Sequence, residues 1–395
     1  MTLTTAPDTR DDVVRRATEV APLLRASARA AEQNRRLDDE VIEALGAAGI
    51  FRMRVARQHG GQEADAVTMF RTISELARGD GSAAWVSSVW SMCAWLTGLY
   101  PDHVQEEVFA SPDSRVCGVL SPTAVAVPVE GGLVVNGSWH FVSGALHSQW
   151  QLVLAMAPTP DGASQWPVMA LVPMTDLQIV DDWDTAGLRG TGSVTTVATD
   201  VFVSGDRVLP MVAILQGSYA SVRNGDSPMF RAPMMATGCA SFTGTAVGLA
   251  QAALHGFVEQ LPGRKITYTD YAEQGQAPLT HRQVAEATMK IDEAEFHALR
   301  LAGFIDERGT GEQPWTLIDR IRARAVLGRV FQLSKEAVDI LANAAGGSSI
   351  YLSQPIQRIA RDLQALNLHA LMHPDTNLEL YGRVLCGVEP NTMYI

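Results

Sequence analysis

The feature that most constrains this chain is a change of apolar period. Helical spacing holds to about residue 110, strand alternation runs from Val116 to about Val208, and helical spacing returns from Cys239. Helices and strands therefore fall in separate blocks, an α+β multidomain chain. The expected domains are an N-terminal α-helical domain (1–112), a central β-sandwich or barrel (113–210), and a C-terminal four-helix bundle preceded by a flexible loop (211–395). With 395 residues the chain can bury a large core.

Within the first block, residues 1–10 read as a frayed tail. A helix is predicted from Asp11, with Val13, Ala17, Val20, Leu24 and Ala28 on one face. A second runs from Asp38, with Val41, Ile42 and Leu45, to the glycine of Ala48-Gly49. Residues 64–79 and 82–99 read as two more, the latter nearly all apolar and so buried. After Ser111-Pro112-Asp113 the chain becomes rich in Val and Thr. Segments 124–129, 133–141, 151–156, 168–172 and 194–203 read as antiparallel strands, with turns at Glu130-Gly131-Gly132 and Asp161-Gly162. Residues 210–235, rich in Gly, Ser, Pro and Met, read as an irregular loop or lid. Segments 239–260, 280–308, 316–345 and 354–372 are predicted as four long antiparallel helices.

Composition narrows the function classes. A net charge of −12 argues against nucleic-acid and anionic-membrane partners, which need a basic face. The four cysteines, Cys93, Cys117, Cys239 and Cys386, are scattered without a CxxC, and read as reduced, buried thiols of a cytoplasmic protein. The N-terminus carries Asp8, Asp11 and Asp12 and lacks the apolar stretch of a signal peptide. No apolar run is long enough to span a bilayer. Gly190-Thr191-Gly192-Ser193-Val194-Thr195 lacks the third glycine of a dinucleotide fingerprint and has no helix after it. A P-loop, HExxH, paired Glu-x-x-His and a nucleophile elbow are missing, so no metal is expected.

Three segments carry possible chemistry. On a strand, Trp139, Phe141 and Ser143 would share one face and line a flat ligand, or the aromatics would simply be core. Gly187-Leu188-Arg189-Gly190-Thr191-Gly192-Ser193 offers backbone N–H groups and hydroxyls suited to a phosphate, or forms a tight turn. Near the C-terminus, Arg358, Arg361 and Asp362 would lie along one side of a helix, with His369 two turns on. That histidine is either structural or catalytic.

These runs, in this order, resemble a known family. Residues 83–88 (Ala-Ala-Trp-Val-Ser-Ser), Gly132 through Gly144, His147 with Trp150, Gly187 through Ser193, and Pro355-Ile356-Gln357-Arg358 with Arg361-Asp362 and His369 together resemble the acyl-CoA dehydrogenase fold along nearly the whole chain. More closely they resemble its oxygenase branch: group D two-component, reduced-flavin-dependent monooxygenases, such as phenol, steroid-ring and indole hydroxylase oxygenase components.

The resemblance implies a flavin between the β-domain and the bundle, against Trp139, Phe141 and Ser143. Ser121, Thr191, Gly192 and Ser193 would hydrogen-bond it. Arg264, opening a bundle helix, would reach its phosphates, usually across a subunit interface, and Gly346-Gly347 would let another subunit's backbone approach. The cofactor would be FAD rather than FMN, delivered reduced by a separate NAD(P)H-dependent flavin reductase to a homotetramer. O2 would give a C4a-hydroperoxide, held by Ser143 in a water-excluding site. His369, with an ordinary pKa near about 6.5, would act as base. Trp85, Leu120, Leu146 and His373 would line the substrate.

The departures from the family pattern point to a substrate class. His373 stands where phenolic relatives carry an acid, Leu146 where a relative has Asp, and Leu120 where an aromatic is common. A less acidic pocket implies a larger, more apolar aromatic, such as an indole or polycyclic intermediate. Three alternatives remain: an acyl-CoA dehydrogenase, whose glutamate position falls on Ala370; an amino-sugar N-oxygenase; and a degenerate flavin-fold binding module.

Overall fold

A computed structural model of the chain describes residues 10–395. The frayed tail read over residues 1–10 lies outside the described residues except for Arg10, which begins helix α1. Five helices form the first block: α1 (Arg10–Asn34), α2 (Asp39–Ala47), α3 (Ala66–Gly79), α4 (Gly81–Thr97) and α5 (Asp102–Val108). On α1 the expected face is largely buried, with Val13, Ala17, Leu24 and Ala28 in the core and Val20 half-buried. Every residue of α4 is buried, in keeping with a segment that carries small hydroxyls but no charge. Its N-terminus is capped by Asp80, whose carboxylate accepts the Ala83 N–H at 2.9 Å.

The central block is one eight-stranded sheet. Its strands are β1 (Val116–Gly118), β2 (Ala124–Val129), β3 (Gly132–Trp139), β4 (Trp150–Pro158), β5 (Gln165–Pro173), β6 (Gln178–Val180), β7 (Thr195–Ser204) and β8 (Val208–Pro210). The order is β6-β7-β3-β2-β4-β5-β8, with β1 beside β4. The all-antiparallel expectation is corrected: β4 pairs in parallel with both β1 and β2. No tight hairpin joins β2 or β1 to β4, so nothing forces them antiparallel.

After β8 the segment read as an irregular lid is instead pinned. It contains helix α6 (Met211–Leu215), and Met211, Ile214, Asn224, Met229 and Phe230 are buried. Trp95 donates to the Met229 carbonyl at 2.9 Å, and Asn224 donates to the Gly98 carbonyl at 2.8 Å. The last block holds α7 (Met234–Glu259), α8 (Pro278–Thr310), α9 (Leu317–Ala344), α10 (Pro355–Asn367) and α11 (Pro374–Leu385). That is five helices, not four. The expected 354–372 helix stops at Asn367, and Pro374, unable to continue a helix, starts another at its first position.

α7 lies between α3 and α9 and ties the first block to the last. A Cβ at Gly248 would stand 2.2 Å from the Ser74 carbonyl oxygen, so glycine alone permits this helix–helix approach. The buried apolar residues of all three blocks form one continuous cluster. Cys93, Cys117 and Cys239 are buried, but Cys386, at the end of α11, is exposed. Among the described residues no helix is long and apolar enough to cross a membrane.

Candidate active site

The site forms where three irregular segments meet the buried helix α4. The first follows β3. That strand ends at Trp139, so Trp139, Phe141 and Ser143 do not share a strand face. Trp139 is 0% exposed and gives its indole N–H to the Leu154 carbonyl at 2.8 Å; it is core and has no surface to offer a ligand. Phe141 takes a left-handed backbone, φ +64°, which turns its ring outward. It is 67% exposed and meets Trp183 edge-on. Ser143 turns the other way and is buried against α4.

The second segment is the glycine-rich loop 187–193. Leu188 and Gly192 are both left-handed and bracket a 3-10 turn, Arg189–Thr191. The tight-turn reading holds, since Thr191 and Ser193 point inward and are buried. Gly187 is required by contact: a Cβ there would lie 2.2 Å from the Arg361 carbonyl oxygen of α10. Beside it, Asp362 accepts the Leu188 N–H at 2.6 Å, while Arg361 bonds the Ala186 carbonyl and pairs with Glu32.

These two loops and α4 share a chain of hydroxyls. Trp85 donates its indole N–H to Ser143 Oγ at 2.9 Å. Ser143 Oγ lies 2.8 Å from Ser193 Oγ, which lies 2.6 Å from Thr191 Oγ1. Thr191 donates to the Leu188 carbonyl at 2.8 Å. The Ser193 and Thr191 hydroxyls, expected to bond a flavin, are thus committed to one another.

The third segment is the turn after α10, residues 368–373. His369 lies in this turn rather than two helical turns beyond Asp362 on the same helix. Its ring stands edge-on to Trp85, centroids 5.4 Å apart, and Trp85 in turn packs against Phe242 at 5.1 Å. His369 lines a cleft: water reaches it, yet protein closes round it. Lost hydration pushes its pKa from 6.5 to about 4, in place of the ordinary value expected. The Leu371 N–H donates to its Nδ1 at 3.2 Å, so the neutral ring carries its proton on Nε2.

Behind the cleft, burial pushes Asp362 up to about 7, reinforced by the like charge of Asp80. The Leu188 N–H, Arg358 and Arg361 oppose the shift. Asp80 is raised too, first by burial. Both carboxyls support the site without facing a ligand: one caps α4, the other holds the glycine-rich loop.

The remaining expected residues divide. Leu146, half-buried, lies over Gly192, 2.8 Å from where a Cβ would be. Leu120 is half-buried, its carbonyl bonded by the Tyr394 hydroxyl at 3.0 Å, and Ser121 beside it is exposed. His373 heads α11; its Nδ1 is buried with no hydrogen-bond partner among the described residues. Arg264, expected to open a helix, sits instead in the loop between α7 and α8. There it bonds the Ala345 carbonyl and Ser348 Oγ. It lines an open recess with Gln260, Gly263 and Ser349, next to Gly346 and Gly347, where an added Cβ would meet nothing. Asp80, Phe242 and Tyr394 went unread. Asp80 alone carried a local signal, an acidic residue just before a helical run; the others are brought in by tertiary packing.

An exposed aromatic ring beside a glycine-rich loop, and a separate open arginine recess, suit a ligand with a flat ring and an anionic part. Residues 9–109 match the acyl-CoA dehydrogenase N-terminal domain and residues 240–374 its C-terminal domain. The chain is 31% identical to the FADH2-dependent resorcinol hydroxylase, oxygenase component, of Rhizobium sp., over 97% of this chain and 96% of that one. It is 32% identical to HsaA, the flavin-dependent monooxygenase oxygenase subunit of Mycobacterium tuberculosis, over 93% and 94%. The solved structure of XiaF from Streptomyces sp. with FADH2 and glycerol superposes with a TM-score of 0.90 at 29% identity, covering 97% of each chain. With its helix–sheet–helix order and its near-full-length likeness to these enzymes, the chain belongs to the flavin-dependent monooxygenase oxygenase components that share the acyl-CoA dehydrogenase fold.

Proposed function

We propose that this chain is the oxygenase component of a two-component monooxygenase that takes reduced FAD and O2 and hydroxylates an electron-rich aromatic. The observation that carries the reading is Trp85, which touches the Ser143 hydroxyl chain through its N–H and the neutral His369 through its ring edge. The resorcinol hydroxylase relative, by its name, acts on a phenolic ring. Phe242 and His369 both pack on Trp85, and Leu146 lies over Gly192; these uncharged side chains would favour a larger apolar aromatic such as an indole or a polycycle.

Phe141, Ser143 and the loop at Gly192 would hold the flavin ring, with the exposed Ser121 a further candidate donor to it. Arg264 and the Gly346-Gly347 break would serve the phosphate end, with a second subunit of a homotetramer completing that recess. When bound, reduced FAD would supply two electrons to O2, of which one atom would enter the product and the other leave as water. His369 presents an Nε2–H donor; to take a proton at Nδ1 it must first give up the Leu371 N–H. Its fitting role is to donate to a substrate oxygen, rather than to act as the base expected from sequence. The reduced flavin would come from a separate reductase in the cytoplasm.

The dehydrogenase alternative lacks its base, since Ala370 is exposed in the turn and Asp80 and Asp362 are occupied behind the loop. The test is turnover of a bulky indole with a flavin reductase, NADH, FAD and ¹⁸O2. One ¹⁸O atom per product is expected. Product no greater than without the enzyme, with all reduced flavin recovered as peroxide, would refute the reading.

A further inference from the structure

Among the described residues, one hydrogen bond holds the His369 ring, from the Leu371 N–H to Nδ1 at 3.2 Å. That bond has a buried anchor behind it. Asn377, on α11, is 0% exposed, and its amide donates to the Leu371 carbonyl at 2.8 Å. Its Oδ1 accepts from Nε of Arg324, on α9, at 2.9 Å. Both neighbours favour the same amide orientation, because a guanidinium only donates and a carbonyl only accepts. α11 is pressed onto α9 at this point. A Cβ at Gly328, one turn beyond Arg324, would stand 3.1 Å from the Asn377 Cβ and from the Pro374 Cα. Arg324 is a buried cation, 6% exposed, and among the described residues no carboxylate pairs with it. Its other contact is also a neutral oxygen, the Tyr394 carbonyl, 2.9 Å from Nη1. Burying a charge without a counter-ion costs stability. What Arg324 supplies in place of an ion pair is a charge-assisted bond that fixes the Asn377 amide.

We propose that Asn377, backed by Arg324, is a positioning residue that holds Leu371 so that its N–H stays on Nδ1 of His369 and the ring keeps its proton on Nε2 for the substrate. The inference rests on the reading of His369 as a donor to a substrate oxygen. It extends the site to two side chains that touch no ligand. Without the amide, Leu371 is free to turn and Nδ1 loses its donor. The imidazole then carries its proton on either nitrogen, and the Nε2–H is offered only part of the time.

Asn377→Asp tests it on the full chain. A carboxylate there pairs with Arg324 but sets an acceptor against the Leu371 carbonyl. Arg324→Met acts from the other side and leaves the Asn377 Oδ1 without its donor. Solid-state ¹⁵N spectra of histidine-labelled protein report the tautomer. The His369 signals are picked out of the nine histidines by their loss in His369→Gln. Wild type should show a bare Nδ1 and a protonated Nε2. Asn377→Asp should add a population protonated on Nδ1, with kcat about tenfold lower and KM within about twofold in coupled turnover. Arg324→Met should move both readouts in the same direction and by less. A His369 signal unchanged in Asn377→Asp would overturn the proposal. So would a fall in kcat without a change of tautomer, which would mark Asn377 as structural alone. If Arg324→Met does not fold, Asn377→Asp carries the test, since it keeps the contact between α9 and α11 paired. Failure of the flavin reading itself looks different: wild type would give no hydroxylated product, while the tautomer stays measurable.

Discussion

On one wall of the cleft, Ser143 is buried and tied on both sides, to Trp85 and to Ser193. On the other, His369 hangs in a turn between two helices, fixed through its side chain by one backbone N–H and one ring contact. The first wall is over-determined: every proton in its chain has one place to go. The second is held loosely and remains open to water. A buried polar network stabilises the fold only while complete, because each orphaned group bears its full desolvation cost. An exposed turn contributes little to stability, so its chemistry can be lost without loss of the fold. The contrast divides orientation from chemistry: the Ser143 wall sets geometry, and the His369 wall meets the substrate.

The largest effect expected falls on the open wall. His369→Ala should lower product formation by about 10²-fold through loss of a positioned donor, while stability moves by no more than about 0.5 kcal/mol. Coupled turnover and a thermal melt check both; a melt that falls as far as that of a core variant would break the comparison. Next comes Gly187→Ala, which drives a Cβ into the Arg361 carbonyl. A loss of about 2–3 kcal/mol is expected in urea unfolding, since two backbones must part. A near-neutral result would mean that the loop does not need its contact with α10.

Ser143→Ala follows, at about 1–3 kcal/mol, because the Trp85 N–H is left buried without an acceptor. If Ser143→Ala proved as stable as wild type in the same urea series, the over-determined wall would be a misreading.

In pH dependence the two titratable groups should differ in sign. The folded-state pKa of Asp362 is raised to about 7, so its contribution to stability is complete below the usual carboxylate range and is lost as pH rises through 7. Asp362→Asn keeps an acceptor for the Leu188 N–H and should flatten the fall in stability between about pH 4 and 7. His369 runs the other way. Its folded-state pKa is depressed to about 4, so its contribution is present above 6.5 and lost as pH falls toward 4. It stays neutral from pH 5.5 upward, and kcat/KM should show no inflection near 6.5 that His369→Ala abolishes.

Much of the fold can be read because period persists over long segments: the uncharged, nearly all-apolar α4 could only be buried, and the Val-rich block could only be sheet. The site was legible in parts. Ser143, His369, Thr191 and Ser193 were singled out, but their relations were not. Residues 85, 143, 191 and 193 meet only through tertiary packing, and no local pattern encodes the direction of their protons. The shared face of Trp139, Phe141 and Ser143 failed because Phe141 adopts a left-handed backbone without being glycine. α11 is hidden in the sequence because a largely apolar run carries across residues 368–373 and Pro374 marks the break only after it. The His369 pKa could not be read at all, since it depends on the cleft around the ring.

The most direct measurement is rapid mixing of the protein, loaded anaerobically with reduced FAD, with O2 while following near-UV absorbance. The account predicts a long-lived flavin species distinct from both the reduced and oxidised forms, and its rapid consumption when the aromatic substrate is present. Immediate return to oxidised flavin with stoichiometric peroxide, together with reduction of the oxidised protein by an acyl-CoA, would contradict it.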